Sequence, residues 1–190
     1  MGRWEPDAAG RLRGAALDLF EEHGFDGTTV EDIASRAGVT KRTFFRHYAD
    51  KREVLFGGDS GESFVSLFAA GLAAADPGLP PERALTGALE HVAATFEGRW
   101  AFARRRQGVL AANASLRERE LVKMESVVGV LTDGLRARGV ADPAATVAAE
   151  AGAAVFRTAF ARWVAAAEEG DLAAEVRTVA AALRGVVAGG

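Results

Sequence analysis

Residues 33–55 read IASRAGVTKRTFFRHYADKREVL, and they hold positive charge out of proportion to the rest of the chain. Between Arg36 and Arg52 stand six basic residues, Arg36, Lys41, Arg42, Arg46, Lys51 and Arg52, against one acid, Asp50; the segment is locally +5 in a 190-residue chain of net charge −3. Such a concentration calls for an anionic partner. An isolated charge run is usually the solvated face of a helix, so the spacing of the uncharged residues has to decide. Thr28 or Thr29 can cap a helix over 29–36, with Glu31 and Asp32 near the positive end of its dipole. Ala37-Gly38-Val39 leaves room only for a tight turn, in which Gly38 supplies left-handed backbone, before a second helix over 40–47 opens at Thr40. Ala34 is small where the two helices approach, and Ile33, Val39 and Phe44 are the apolar contacts beneath. This is the pattern of a helix-turn-helix, whose second helix fits the DNA major groove. Its first residues, Thr40, Lys41, Arg42 and Thr43, are donors able to reach base edges and phosphates.

Helical periodicity extends in both directions from this unit. Upstream, Leu12, Ala16, Leu19 and Phe20 form one inward stripe, with Asp18, Glu21 and Glu22 on other faces, and His23-Gly24 ends the helix. Downstream, Asp50-Lys51-Arg52-Glu53 matches a capping box and predicts a fourth helix. Further helices are expected from about Ser60 to Ala75, from the DPGLPP turn toward Gly98, and from Trp100 to Ala112. Another should open at a second capping box, SLRE at 115–118, with Leu121, Met124, Val128, Leu131 and Leu135 along one face and Gly139 at its end. Asp142-Pro143 reads as an N-cap followed by proline at the first helical position, and Gly170 separates the last pair. Leu172, Val176, Val179, Leu183 and Val186 repeat the three-four spacing. The fold class is therefore all-α, about nine helices without a strand, divided into a three-helix DNA-binding domain over 1–55 and a larger helical bundle over 56–190.

Residues 16–55, ALDLFEEHGFDGTTVEDIASRAGVTKRTFFRHYADKREVL, resemble the tetracycline-repressor (TetR) family of bacterial regulators in order and spacing. Beyond residue 55 the resemblance rests on length and helical layout. It implies an N-terminal DNA-binding domain, a domain that binds a small molecule and forms a homodimer, and repression relieved by ligand. By position, Thr29, Thr40, Lys41, Arg42, Thr43, Phe45, His47 and Lys51 fall where relatives touch DNA, and Arg46 lies on the same basic helix. Three residues depart from the family pattern. Arg42 replaces a common glycine and predicts a guanine preference. Phe45 replaces a frequent tyrosine and loses a hydroxyl contact to phosphate. Tyr48 stands where phenylalanine is common, and a core aromatic beneath the turn is its ordinary fate.

The second domain holds a large aromatic stock, Phe64, Phe68, Phe96, Trp100, Phe102, Phe156, Phe160 and Trp163. Core packing accounts for most such residues. A minority is expected to line a pocket for a mainly apolar or acyl-bearing effector, with Phe64 and Phe68 the first candidates and Phe96, Trp100, Met124, Phe156 and Phe160 behind them. Arg104, Arg105 and Arg106 point about 100° apart on a helix, so one or two of them, Arg104 foremost, can meet an anionic end, with Gln107 as an orienting group. Helices 143–168 and 171–187 are expected to build a four-helix dimer interface through Val155, Leu172, Val176, Val179 and Leu183.

Composition sets limits on the alternatives. Without cysteine, disulfides, thiolate metal sites and cysteine nucleophiles are absent from the chain. Its three histidines, at 23, 47 and 91, are not clustered, so neither a metal nor a cofactor is expected. There is no Gly-rich phosphate loop at a strand–helix junction and no paired nucleophile and base, which places a helical enzyme far behind a regulator. The apolar stretch 144–167 is interrupted by Glu150, Arg157 and Arg162, and the N-terminus lacks an apolar signal region, so a cytoplasmic protein with no membrane span is expected. An effector-free or protein-regulated architectural DNA binder is the second reading. The roughly 135 residues after the DNA-binding unit, more than dimerisation alone requires, argue against it.

Overall fold

The structure, a computed structural model, describes residues 7–57 and 64–188. Among these, nine α-helices and no strand occur: α1 (Ala8–His23), α2 (Val30–Arg36), α3 (Lys41–His47), α4 (Phe64–Ala74), α5 (Pro81–Ala94), α6 (Trp100–Ala112), α7 (Ala114–Ala137), α8 (Ala144–Ala165) and α9 (Leu172–Ala188). The fourth helix expected at Glu53 is a single 3₁₀ turn, Glu53–Leu55. Asp50 does cap it, accepting from the backbone N–H of Arg52 at 2.7 Å and of Glu53 at 3.2 Å. The expected start of the next helix near Ser60 lies outside the described residues.

The chain divides into two compact units, Met1–Phe64 with Arg105–Arg117, and Val65–Arg104 with Glu118–Gly190. The division falls inside α6, so the first unit is assembled from two separate stretches of chain. A boundary near residue 55 therefore leaves out a segment that packs with the N-terminal helices.

In the first unit α1 packs on α2 and on the 3₁₀ turn, and α2 packs on α3. The apolar stripe read from the sequence faces inward, with Leu12 and Ala16 fully buried and Leu19 and Phe20 nearly so. Gly24 ends α1 at a φ of 75°, a conformation that glycine adopts without steric cost. Thr29 caps α2 in a reciprocal capping box with Asp32. Thr28 is buried and donates its hydroxyl to the carbonyls of Leu19 and Gly24, tying the end of α1 to the start of α2. The turn closes through Gly38 N–H to Ser35 O at 3.1 Å and Val39 N–H to Ala34 O at 2.9 Å, with Gly38 at a φ of 68°. Ile33, Phe44 and Val54 are fully buried beneath it. Each such side chain contributes about 1.5–3 kcal/mol by leaving water. Tyr48 is buried and donates its hydroxyl to Ala9 O at 3.2 Å, the core role expected of it.

The second unit is organised on α8, which packs on α9, with α5 against both. Gly71 permits the close approach of α4 and α5, since a Cβ there would lie 3.1 Å from the backbone of Ala88. Two helix starts differ from the sequence reading by one or two residues. Asn113, not Ser115, caps α7, its side-chain oxygen accepting from the N–H of Ser115 at 3.1 Å. Pro143 occupies the cap position of α8, and Asp142 instead accepts the hydroxyl of Thr146 at 3.2 Å. On α7 the stripe is buried from Met124 to Leu135, whereas Leu121 is 63% exposed. Arg138 closes the far end by donating to the carbonyls of Ala75 at 3.0 Å and Asp76 at 2.6 Å.

Candidate nucleic-acid interface and effector-domain residues

The orientation of α3 follows from one ring. Phe44 is fully buried, and its ring meets Tyr48 at 5.6 Å and Phe45 edge-on at 5.5 Å. With Phe44 inward, Lys41, Arg42, Phe45, Arg46 and His47 are all exposed on the outer side. Thr40 caps the helix, its hydroxyl accepting from Thr43 N–H at 3.2 Å and lying 3.1 Å from the Thr43 hydroxyl. Thr40, Arg42, Thr43, Phe45 and Arg46 line one open hollow. Seven of the nine residues expected at the DNA face thus lie on α3 or at its cap. Thr29 is also exposed, but its hydroxyl is engaged with Asp32, donating to Oδ2 at 2.6 Å.

The basic cluster is less free than its charge count suggests. Arg36 forms a two-pronged pair with Glu22 at 2.8 and 3.1 Å, Lys41 donates to Glu31, and Arg52 pairs with Asp50 at 2.8 Å. Each of these carboxyls is held below the usual range, first by the hydrogen bond from its cation. Lys51 donates to the carbonyls of Phe25 at 2.6 Å and Thr28 at 2.8 Å and sits 4.2 Å from the centre of the Phe25 ring. Its ammonium therefore has one of three protons left to offer a phosphate, and its first task is to hold the α1–α2 loop. Arg42 and Arg46 are the α3 cations with no carboxylate partner among the described residues. Arg46 instead approaches His47 Nε2 at 3.4 Å.

The three consecutive arginines of α6 divide as the helical rotation requires. Arg104 donates to Ala166 O at 3.2 Å and lies over the Trp100 ring at 5.2 Å. Arg105 reaches Asp18 at 2.6 Å and Glu21 at 3.0 Å on α1, and these carboxylates raise its pKa further. Arg106 donates to Leu55 O at 2.7 Å and stacks over Phe56 at 4.9 Å. None of the three is idle, and only Arg104 belongs to the same unit as Phe68, Phe96, Phe156, Phe160 and Trp163.

Five residues of the aromatic stock, Phe68, Phe96, Phe156, Phe160 and Trp163, form a connected cluster of rings. Phe68 meets Phe156 edge-on at 5.1 Å, Phe96 meets Phe160 at 5.4 Å and Trp163 at 6.0 Å, and Phe156 stacks on Phe160 at 6.3 Å. Phe68, Phe156 and Trp163 are buried, as is Met124, while Phe64, Phe96, Trp100 and Phe160 are half-buried. Trp100 and Trp163 donate their indole N–H groups to the carbonyls of Trp163 at 3.0 Å and Gly170 at 2.7 Å. Gln107 is exposed and belongs to the first unit, whereas Phe68, Phe96, Phe156, Phe160 and Trp163 belong to the second.

Residues 12–56 match the profile of bacterial regulatory proteins, tetR family. The regulator TcmR of Streptomyces glaucescens, described as HTH-type, is 42% identical over 77 residues, 40% of this chain and 33% of that protein. Over these N-terminal residues the chain is similar to the tetR family. It spans about a third of the length of the curated relatives it matches first. Solved structures share its fold over nearly the whole chain. FadR from Bacillus subtilis in complex with stearoyl-CoA superposes with a TM-score of 0.60 at 21% identity, covering 92% of this chain and 96% of that one. FadR from Thermus thermophilus, a TetR-family repressor in complex with lauroyl-CoA, does so with a TM-score of 0.54 at 24% identity, covering 94% and 93%. No helix among the described residues is long and apolar enough to cross a membrane.

The side chains expected at a dimer interface separate into two groups. Val155, Leu172 and Val176 are buried inside the chain's own α5–α8–α9 packing and have no surface to offer a partner. Val179 is half-buried and Leu183 is 39% exposed, while Val147, Val186 and Val187 are more exposed still. The sequence reading also passed over the acids that hold the cations, Asp18, Glu21, Glu22 and Glu31. Their only signal was an acidic residue on a face without an apolar neighbour, which many solvated residues share.

Proposed function

We propose that the chain is a DNA-binding transcriptional regulator that acts as a repressor, binds a two-fold symmetric operator as a homodimer, and is released by an apolar, acyl-bearing effector. The observation that carries the reading is the outer face of α3, where Thr40, Arg42 and Arg46 stand exposed and Thr43 half-buried beside them, on a helix locked by the fully buried Phe44. A short rigid helix with donors at its first turn matches the geometry that reads base edges in the major groove. Arg42 is the residue suited to a two-pronged contact with guanine, while Lys41, His47 and the remaining proton of Lys51 serve phosphates. Phe45 presents an apolar ring to a thymine methyl.

The dimer is assigned to the exposed side of α8 and α9, with Leu183, Val186, Val187 and Val147 as its apolar residues. A dimer places two recognition helices one DNA turn apart, about 34 Å. The effector class is supported by the acyl-CoA thioesters in the two FadR complexes and by the five linked rings of Phe68, Phe96, Phe156, Phe160 and Trp163. For an effector to empty the operator it must prefer the released conformation by about 10⁴-fold, so the ring cluster has to rearrange on binding and not merely fill.

The test has two stages. Selection of binding sites from random duplex DNA should enrich an inverted repeat whose half-sites share a guanine, and loss of enrichment with Arg42→Ala should be confined to that base pair. Long-chain acyl-CoA added to the selected complex should then release the DNA, while coenzyme A alone should not. Failure to enrich any sequence would remove the regulator reading; release by neither compound would remove the effector class and favour an effector-free DNA binder.

A further inference from the structure

Lys41 opens α3, and its ammonium is held by a residue from the other helix of the motif, Glu31 on α2. Both side chains are more than half exposed, so the pair sits in water at the candidate DNA face and not in the core. The Glu31 carboxyl is held below its ordinary range, chiefly by the Lys41 hydrogen bond, and is charged at neutral pH. A carboxylate at this position is costly for any surface that approaches phosphates, since like charges repel. It also restricts Lys41, whose ammonium lies 5.9 Å from the Phe45 ring and has two protons left to direct. Arg42 and Arg46, one and five residues further on, carry no such restraint among the described residues.

We infer that Glu31 is a positioning residue that sets the selectivity of the DNA face, by withholding Lys41 from loosely registered phosphates and presenting it in one orientation. The inference rests on the DNA-binding reading above and deepens it. Non-specific binding consists almost wholly of phosphate contacts, so a tethered lysine and an added negative charge weigh on it in full. Operator binding is held in register by base contacts, and there a pre-oriented ammonium meets its phosphate without first being ordered. Glu31 therefore widens the ratio between operator and random DNA while lowering the affinity for both.

The experiment measures affinity for the selected operator and for random duplex over a range of salt, in wild type, Glu31→Gln, Lys41→Ala and the double variant, with thermal unfolding to show that all four are folded. In Glu31→Gln, affinity for random DNA should rise severalfold, its salt dependence should steepen by about 0.9 in log K against log salt as Lys41 neutralises one more phosphate, and the operator ratio should fall. In the Lys41→Ala background the same substitution should raise affinity clearly less and leave the operator ratio unchanged, because only the direct repulsion by the carboxylate remains there and the selectivity acts through Lys41. An equal rise in both backgrounds would assign the effect to bulk charge and overturn the inference. A loss confined to one operator base pair in both backgrounds would make Glu31 a base acceptor and overturn it as well. Wild-type binding with no response to Glu31→Gln would end the inference alone, whereas a wild type with no affinity for DNA would end the reading it rests on.

Discussion

Phe44 and Phe45 are neighbours in α3, yet one is fully buried and the other 49% exposed, whereas in the larger unit Phe68, Phe156 and Trp163 are all buried against one another or against Phe96 and Phe160. In the helix-turn-helix unit packing and contact are assigned to different residues of one short helix. In the larger unit the residues expected to touch a ligand are the residues that hold the unit together. The consequence concerns mutability: contact residues on the first unit can change without unfolding it, but the ring cluster cannot be altered at its centre without a cost in stability.

Phe68 and Phe45 stand at the two extremes of burial. Phe68→Ala should cost about 3–5 kcal/mol, as for other buried phenylalanines, while Phe45→Ala should stay within about 0.5 kcal/mol of wild type. Urea unfolding measures both, and a Phe68→Ala cost below about 1 kcal/mol would mean that the ring borders open space. Leu183→Arg probes the larger unit's outer surface. It should leave the thermal transition of the chain close to wild type, convert dimer to monomer in sedimentation, and reduce operator affinity to that of a half-site. A protein that remains dimeric would move the interface off α9.

Within the proposed DNA face, Lys51 and Arg42 should behave differently although both are basic. Lys51→Ala removes two hydrogen bonds from an ammonium to backbone carbonyls and should cost about 1.5–3 kcal/mol in folding stability, with uniform weakening on all DNA. Arg42→Ala should leave folding unchanged and cost about 1–3 kcal/mol on operator alone. Equal behaviour of the two would show that Lys51 is no more structural than Arg42. The smallest effect is expected from acid. Glu22, Glu31, Asp32 and Asp50 all have lowered carboxyl pKa values in the folded chain, each chiefly through a side-chain hydrogen bond. Groups of this kind contribute stability that is fully present above their unfolded values of about 3.9–4.3 and is lost as pH falls through the lower folded values. The four are solvent-exposed or nearly so, and a modest decline below about pH 4 that is flattened by high salt is the expected outcome.

The same division explains how much could be read beforehand. The caps of α2 and α3, the turn at Gly38 and the inward stripe of α1 are signals contained within a few residues, so they were legible with nearly correct bounds. The cap of α7 was misread because Asn113 and Ser115 are both good capping residues, and local preference does not choose between them. The stripe on α9 was legible as a buried face, but periodicity does not say whether the burying surface is the same chain or a second copy. For Val176 it is α5 and α8 of the same chain; Leu183, seven residues on, is left exposed.

Helix periods, caps and tight turns are set by neighbours along the chain, so the all-helical class, the helix-turn-helix and the donors at the start of α3 follow from the residues alone. Which charges are paired and which rings are core follows from how the helices pack. Arg105 finds Asp18 and Glu21 more than eighty residues away, and Lys41 finds Glu31 across the turn. Pairing and burial depend on distances between separate helices, and those distances exist only once the helices have packed.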